Sequence, residues 1–289
     1  MDPRSFMLMG FLIGLLMLAG FIIGGGNLYV VLLFFLLALL INLATYWYSD
    51  SLILKMYRAR VLREDENPSL QNMVTKLSMQ AGIPKPKVAI IPSDAPNAFA
   101  TGRSPSSSSI AVTNGARALL SEDELEGVLA HEISHIKNRD TLIMVLAAAI
   151  AGAIGYMAFA ARWSLFMGGN RRNDGGGAII GLILLAILIP LAALIIRLAI
   201  SRGREYMADQ GGASYSGKPG SLASALQKIE GYVKKRPVKG GNPATSHLFI
   251  VNPFRGDSIT SIFSTHPPTG ERIKRLREME QTRSVGKLY

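Results

Sequence analysis

The chain has no cysteine and only four histidines among its 289 residues. Without thiols, disulfide frameworks, thiol catalysis and cysteine-ligated zinc are all excluded. Tryptophan occurs twice, and neither zinc-finger spacing nor an aromatic-studded basic sheet motif accompanies the net charge of +11. Nucleic acid is therefore excluded as a partner, and the excess of 31 basic over 20 acidic residues needs another explanation. Basic residues that flank membrane spans on the cytoplasmic side and meet anionic lipid supply one. No fixed-period repeat is present.

Apolar sequence is what the chain has in abundance, with 49% hydrophobic residues. Residues 6–23 and 28–48 form two uncharged runs around Gly24-Gly25-Gly26-Asn27. Each is long enough to cross a hydrocarbon core of roughly 30 Å. The first is too long for the core of a signal peptide, and no small-residue cleavage site separates it from the second. The pair reads as a transmembrane hairpin closed by an interfacial aromatic belt, Tyr46-Trp47-Tyr48. Lys55, Arg58, Arg60 and Arg63 follow the belt while the intervening turn is uncharged, so both ends of the hairpin face the cytoplasm. Residues 141–161 and 178–196 form a second apolar pair around a Gly/Asn-rich connector. Arg162, Arg171 and Arg172 in that connector run against the charge rule, but Lys137, Arg139, Arg197, Arg202 and Arg204 on the inner flanks outnumber them. The expectation is a multi-pass protein of the cytoplasmic (inner) membrane, with both termini cytoplasmic.

Elsewhere the composition is that of a soluble protein. Asn67-Pro68-Ser69 opens a helix through about residue 80, and Gly82 stops it. Residues 87–91, 98–101 and 109–113 read as short strands. Ser121 with Glu124 forms a capping box that starts the next helix. Further helices are expected at 221–232 and 269–281. The fold class is α+β, mainly α: four transmembrane helices in two hairpins plus a cytoplasmic domain with a small β-sheet. Its segments are an N-terminal hairpin (1–52), a first soluble part (53–140), a second hairpin (141–197) and a second soluble part (198–289).

The capped helix carries the motif "LAHEISHIKN" at 129–138. His131 and His135 are four apart, so they stack on one helical face and suit two zinc ligands, with Glu132 beside them as a base. A catalytic zinc takes three protein ligands and a water. His247, His266, Asp140, Glu205 and Asp209 are the positions open to the third. No breaker is evident between the histidine helix and the third apolar run, or between the fourth run and residue 202. The point midway between 135 and 205, about residue 170, falls in the connector. Antiparallel helices of about 31 and 28 residues, roughly 47 and 42 Å long, then return Glu205 to the height of His135. Asp209, four residues on, shares the Glu205 face and suits the free ring N–H of a zinc-bound histidine. Asp140, five past His135, faces differently and is expected to cap or to pair with Arg139 or Arg204.

"HEISH" together with "REYMAD" and "STHPPTGERI" resembles the membrane-bound gluzincin metalloproteases, in particular their heat-shock branch, with the CAAX prenyl proteases more distant. The resemblance covers essentially the whole chain. It implies one zinc per chain on His131, His135 and Glu205, with Glu132 as general base and Asp209 in support. It further implies His266 and Arg272 near the transition state, and "PNAFATG" as an edge strand whose Asn97, Ala98 and Phe99 bind substrate. The implied activity is a zinc endopeptidase hydrolysing misfolded or damaged membrane proteins at the cytoplasmic face, with lipid as its other partner and its oligomeric state open. An intramembrane protease is the rival enzyme, disfavoured because "SEDELEG" and "KNRD" flank the site with charge. A catalytically silent membrane scaffold is disfavoured by the intact ligand set and base.

Overall fold

The structure is a computed structural model that describes residues 3–147, 149, 150, 154, 202–236, 248–251 and 267–285. Helices α1 (Pro3–Ile23) and α2 (Leu28–Met56) form the N-terminal hairpin, and both are long and apolar enough to cross a membrane. Gly25 and Gly26 turn the chain with positive φ of 59° and 83°, and Asn27 caps α2 by accepting from the Tyr29 amide. The sequence pattern ends the second span at the aromatic belt. The helix in fact continues past a non-helical Tyr48 (φ −112°, ψ 16°) to Met56. Its extension has a partner: Ile53 and Leu54 pack on Ala89, Ile91, Phe99 and Ala111 of the sheet.

The four-stranded mixed sheet has the order β1-β2-β4-β3, from β1 (Arg60–Val61), β2 (Lys87–Ile91), β3 (Ala98–Ser104) and β4 (Ser107–Thr113). β2 and β4 are parallel, and β3 pairs antiparallel with β4 and forms an edge. Strand alternation sorts the sheet into two faces. Ala89, Ile91, Phe99 and Ala111 face α2, while Val88, Ala98, Ala100, Ile110 and Val112 join the main core. That core is closed by α3 (Pro68–Ala81), α5 (Glu122–Lys137), α7 (Arg202–Ser216), α8 (Pro219–Lys235) and α9 (Thr269–Val285), with the short α4 (Asn114–Leu119) after β4. Leu129 and Ile133 of α5 are fully buried in it, each stabilising by about 1.5–3 kcal/mol.

Two expectations change. The histidine helix does not run on into the third apolar segment: Asn138 caps α5, Arg139 takes φ 60°, and a new helix, α6 (140–147), starts beyond. Charged Lys137-Asn138-Arg139 sit exposed at this joint, where the chain leaves the soluble core. Ile143, Met144, Ala147, Ile150 and Ile154 then pack on Leu12 and Leu16 of α1 and Ala38 of α2, laying this stretch against the first hairpin. The expected second hairpin otherwise lies outside the described residues. The described residues are mostly helical, with a small mixed sheet and, among them, two candidate membrane helices.

Candidate metal centre

The capping box at Ser121 and Glu124 begins α5, and the helix is buried all round from Glu124 to Ile136, His131, Glu132 and His135 included. α7 packs face to face against that stretch. A Cβ on Gly212 would lie 2.8 Å from the His131 backbone nitrogen, and one on Gly211 would overlap the Ser134 hydroxyl. Only glycine permits this approach, and it brings Glu205 and Asp209 onto the histidines.

Three donors converge: His131, His135 and Glu205, all buried, with ligand atoms within 4.8 Å of one another. The Nε2 atoms of the histidines are 3.2 Å apart, and each lies near Glu205, at 3.5 Å from Oε1 for His135 and 3.8 Å from Oε2 for His131. Zinc bonds of about 2.0–2.1 Å give a tetrahedral edge of about 3.3 Å. The histidine pair matches that edge, and the two Glu205 oxygens stand slightly beyond it, one toward each ring, so the three side chains suit a four-coordinate ion with one corner free.

Each imidazole is held from behind by a carboxylate. His131 Nδ1 lies 3.0 Å from Asp209 Oδ1, and His135 Nδ1 lies 3.1 Å from Asp140 Oδ2. Nδ1–H donation to these acids leaves both Nε2 lone pairs for a metal. Arg272, 1% exposed, donates to both Asp209 oxygens at 2.9 and 2.7 Å and to the Ile250 carbonyl at 3.0 Å, and lies 3.5 Å from Glu205. Burial would raise the Asp209 carboxyl, but the Arg272 charge and the hydrogen bonds from His131 and Arg272 hold it at about 2. For His135, burial works against the charged ring, yet hydrogen bonds to Asp140 and Glu205 prevail and push it up to about 10. Negative charge that favours a proton there favours a cation equally. Among the described residues, four site carboxylates (Glu132, Asp140, Glu205, Asp209) face two guanidiniums, Arg204 and Arg272. The two charges left over match a divalent ion.

Glu132 reaches from α5 to the edge strand, where its Oε2 accepts from the Ala100 amide at 2.9 Å. Burial raises its pKa, with Glu205 adding to the effect. Phe99, Ala100, Met144, Leu248, Phe249 and Ile250 complete the cleft around these four residues, leaving about 20 Å³, room for one water. A far larger groove of about 780 Å³ between α7 and α9 contains none of the metal-binding groups.

The expected site residues fall out as follows. Asn97 does not point along the edge strand. Its amide donates to the Leu248 carbonyl at 3.0 Å and accepts from the Ile250 amide at 3.1 Å, strapping residues 248–251 across the cleft. Ala98 and Phe99 lie in β3, with Phe99 buried against Tyr57. Arg272 lies against Asp209 and against the donors Glu205 and His131. His266 and His247 lie outside the described residues. The sequence reading missed Asp140 as the partner of His135. The expected pairing of Asp140 with Arg204 is present at 3.7 Å, alongside this unexpected one.

Residues 64–280 match the model of peptidase family M48. The chain belongs to peptidase family M48. Among its relatives, the protease HtpX homolog of Pyrococcus furiosus is 57% identical over 276 residues, covering 96% of this chain and 95% of that protein. The homolog of Persephonella marina is 52% identical over 279 residues, covering 96% of both. A crystal structure of S. mikatae Ste24p superposes with a TM-score of 0.52 at 22% identity, over 92% of this chain and 62% of that longer one, a likeness of fold. As an M48 peptidase with two apolar N-terminal helices and a His-His-Glu group, the chain is a membrane metalloprotease.

Proposed function

We propose that this M48 peptidase is a zinc-dependent endopeptidase of the cytoplasmic membrane that hydrolyses misfolded or damaged membrane proteins at the cytoplasmic face. One observation carries the reading: three converging buried donors beside a buried carboxylate that bridges to an edge strand. Bound on His131, His135 and Glu205, zinc would polarise a water and the substrate carbonyl. Asp209 and Asp140 keep the Nδ1 protons of the two imidazoles, so both rings present Nε2. Glu132, whose buried carboxyl has a raised proton affinity, takes the proton of the attacking water and returns it to the leaving amine. An extended substrate adds along β3. Zinc stoichiometry and casein hydrolysis on detergent-solubilised protein test the assignment. Glu132→Gln is expected to retain zinc and stop cutting, and cutting at the normal rate refutes its role. Glu205→Ala is expected to lose the metal while His247→Ala keeps it, and the reverse result sinks the ligand set.

A further inference from the structure

β3 descends along α2 toward the membrane. Phe99 lies against Tyr57 with ring centroids 5.2 Å apart, Thr101 donates to the Ser49 carbonyl at 3.3 Å, and Arg103 stacks over Trp47 at 4.2 Å. Four residues of strand, about 13 Å, thus match ten residues of helix, about 15 Å, running in opposite directions. The C-terminal end of β3 reaches Tyr46 and the exposed Trp47, where the apolar stretch of α2 ends. Aromatic residues in that position mark the headgroup level of a bilayer.

Glu132 meets the strand at Ala100, three residues or about 10 Å before Arg103. Since the Ala100 amide turns away from β4 to reach Glu132, residues of its parity, Ala98 and Gly102, also direct their backbone groups outward. The outward edge ends at Gly102, whose carbonyl accepts from the Thr141 hydroxyl at 2.9 Å. A strand paired on β3 must therefore part from it just beyond Ala100, between β3 and the start of α6. It then has about 10 Å to cover to the membrane surface. Phe99, Met144, Leu248 and Phe249 line this cleft with apolar surface.

We infer that the site takes extended segments directly adjoining a transmembrane span, and cuts them within the first few residues outside the bilayer, at a distance set by β3. This rests on the peptidase reading above. Each cut consumes one water, leaving a carboxylate and an amine.

The test uses full-length enzyme reconstituted with single-span reporters in vesicles of phosphatidylethanolamine and phosphatidylglycerol. The reporters carry a long unstructured segment of repeated sequence, placed before the span in one and after it in the other, and cuts are mapped by mass spectrometry. The expected result is a cluster about three to ten residues from the span in at least one reporter. A short insertion next to the span then moves the cut in sequence but keeps its distance from the membrane. Cuts spread along the segment in both reporters, or a cut that follows its sequence outward with the insertion, overturn the inference. Casein in the same vesicles separates the two readings. Casein cut by wild type alongside spread reporter cuts overturns only the membrane-distance inference. Casein and both reporters left intact overturn the peptidase reading, and the inference with it.

Discussion

Asp140 gives the sharpest quantitative expectation. Its carboxylate lies 3.1 Å from His135 Nδ1, with both side chains 5% exposed, and Arg204 stands 3.7 Å behind it. Asp140→Asn preserves the volume and an oxygen that accepts the Nδ1 proton, so the ring keeps its tautomer and loses only the charge behind it. Losing such a support costs 10–100-fold in metal affinity, about 1.4–2.7 kcal/mol. The pH dependence supplies a second reading. Next to burial, the Asp140 hydrogen bond is the foremost influence on His135 and helps raise it to about 10, so in the wild type a proton competes strongly with the metal. The amide lowers that pKa, and the variant has less proton to displace. The affinity gap should be widest in alkaline solution and narrow as pH falls. Zinc competition against a chelator from pH 6 to 9 measures both. A variant within threefold of wild type throughout, or a gap that widens in acid, refutes the support role of Asp140.

Two further outcomes are expected. Burial works against the Glu124 carboxylate, yet hydrogen bonds from Lys228, Ser224 and the Ser121 amide hold it at about 2 instead of 4.5. A depressed acid stabilises fully above its unfolded pKa and loses that contribution as pH falls through the folded one. Glu124→Gln should therefore cost up to about 3 kcal/mol near pH 7, and the difference in Tm from wild type should vanish toward pH 2. An equal Tm deficit at pH 7 and pH 2 contradicts the electrostatic account. Gly102 holds φ 134°, and a Cβ there would overlap the Ser107 carbonyl. Gly102→Ala should destabilise by more than about 1 kcal/mol and slow casein hydrolysis, and unchanged Tm and turnover would show that the hairpin can relax.

Much of the soluble fold was legible because its elements are punctuated. Gly82 ends α3 in the left-handed conformation, the Ser121–Glu124 box starts α5, and β2 is the expected 87–91. β1 escaped notice because a two-residue strand has no periodicity to read, and it exists only by pairing with Ile90 and Ala89. The extension of α2 to Met56 was hidden for a similar reason: polar Ser49 and Asp50 follow the belt, and the partners of Ile53 and Leu54 come from residues distant in sequence. Asp140 was misjudged through the backbone. On an unbroken helix, five residues past His135 is about 140° around the axis. The left-handed Arg139 re-aims it, and an arginine gives no warning of positive φ. Asn97 was read as a contact for substrate because the strand was legible, whereas the strap it fastens comes from residues some 150 positions away.

The glycine pair on α7 has a consequence for how this chain can drift. At Gly212 the helices meet backbone to backbone, at Gly211 the Ser134 side chain takes the place of a Cβ, and any side chain there pushes against Ser134 or His131. The gauge of the donor triangle is thus written in two missing methyl groups. Divergence toward an ion of different radius has no gradual route through that contact, because the first methyl already forces the helices apart and carries Glu205 from both imidazoles. Such a change must exchange a donor instead, leaving the spacing of the helices untouched.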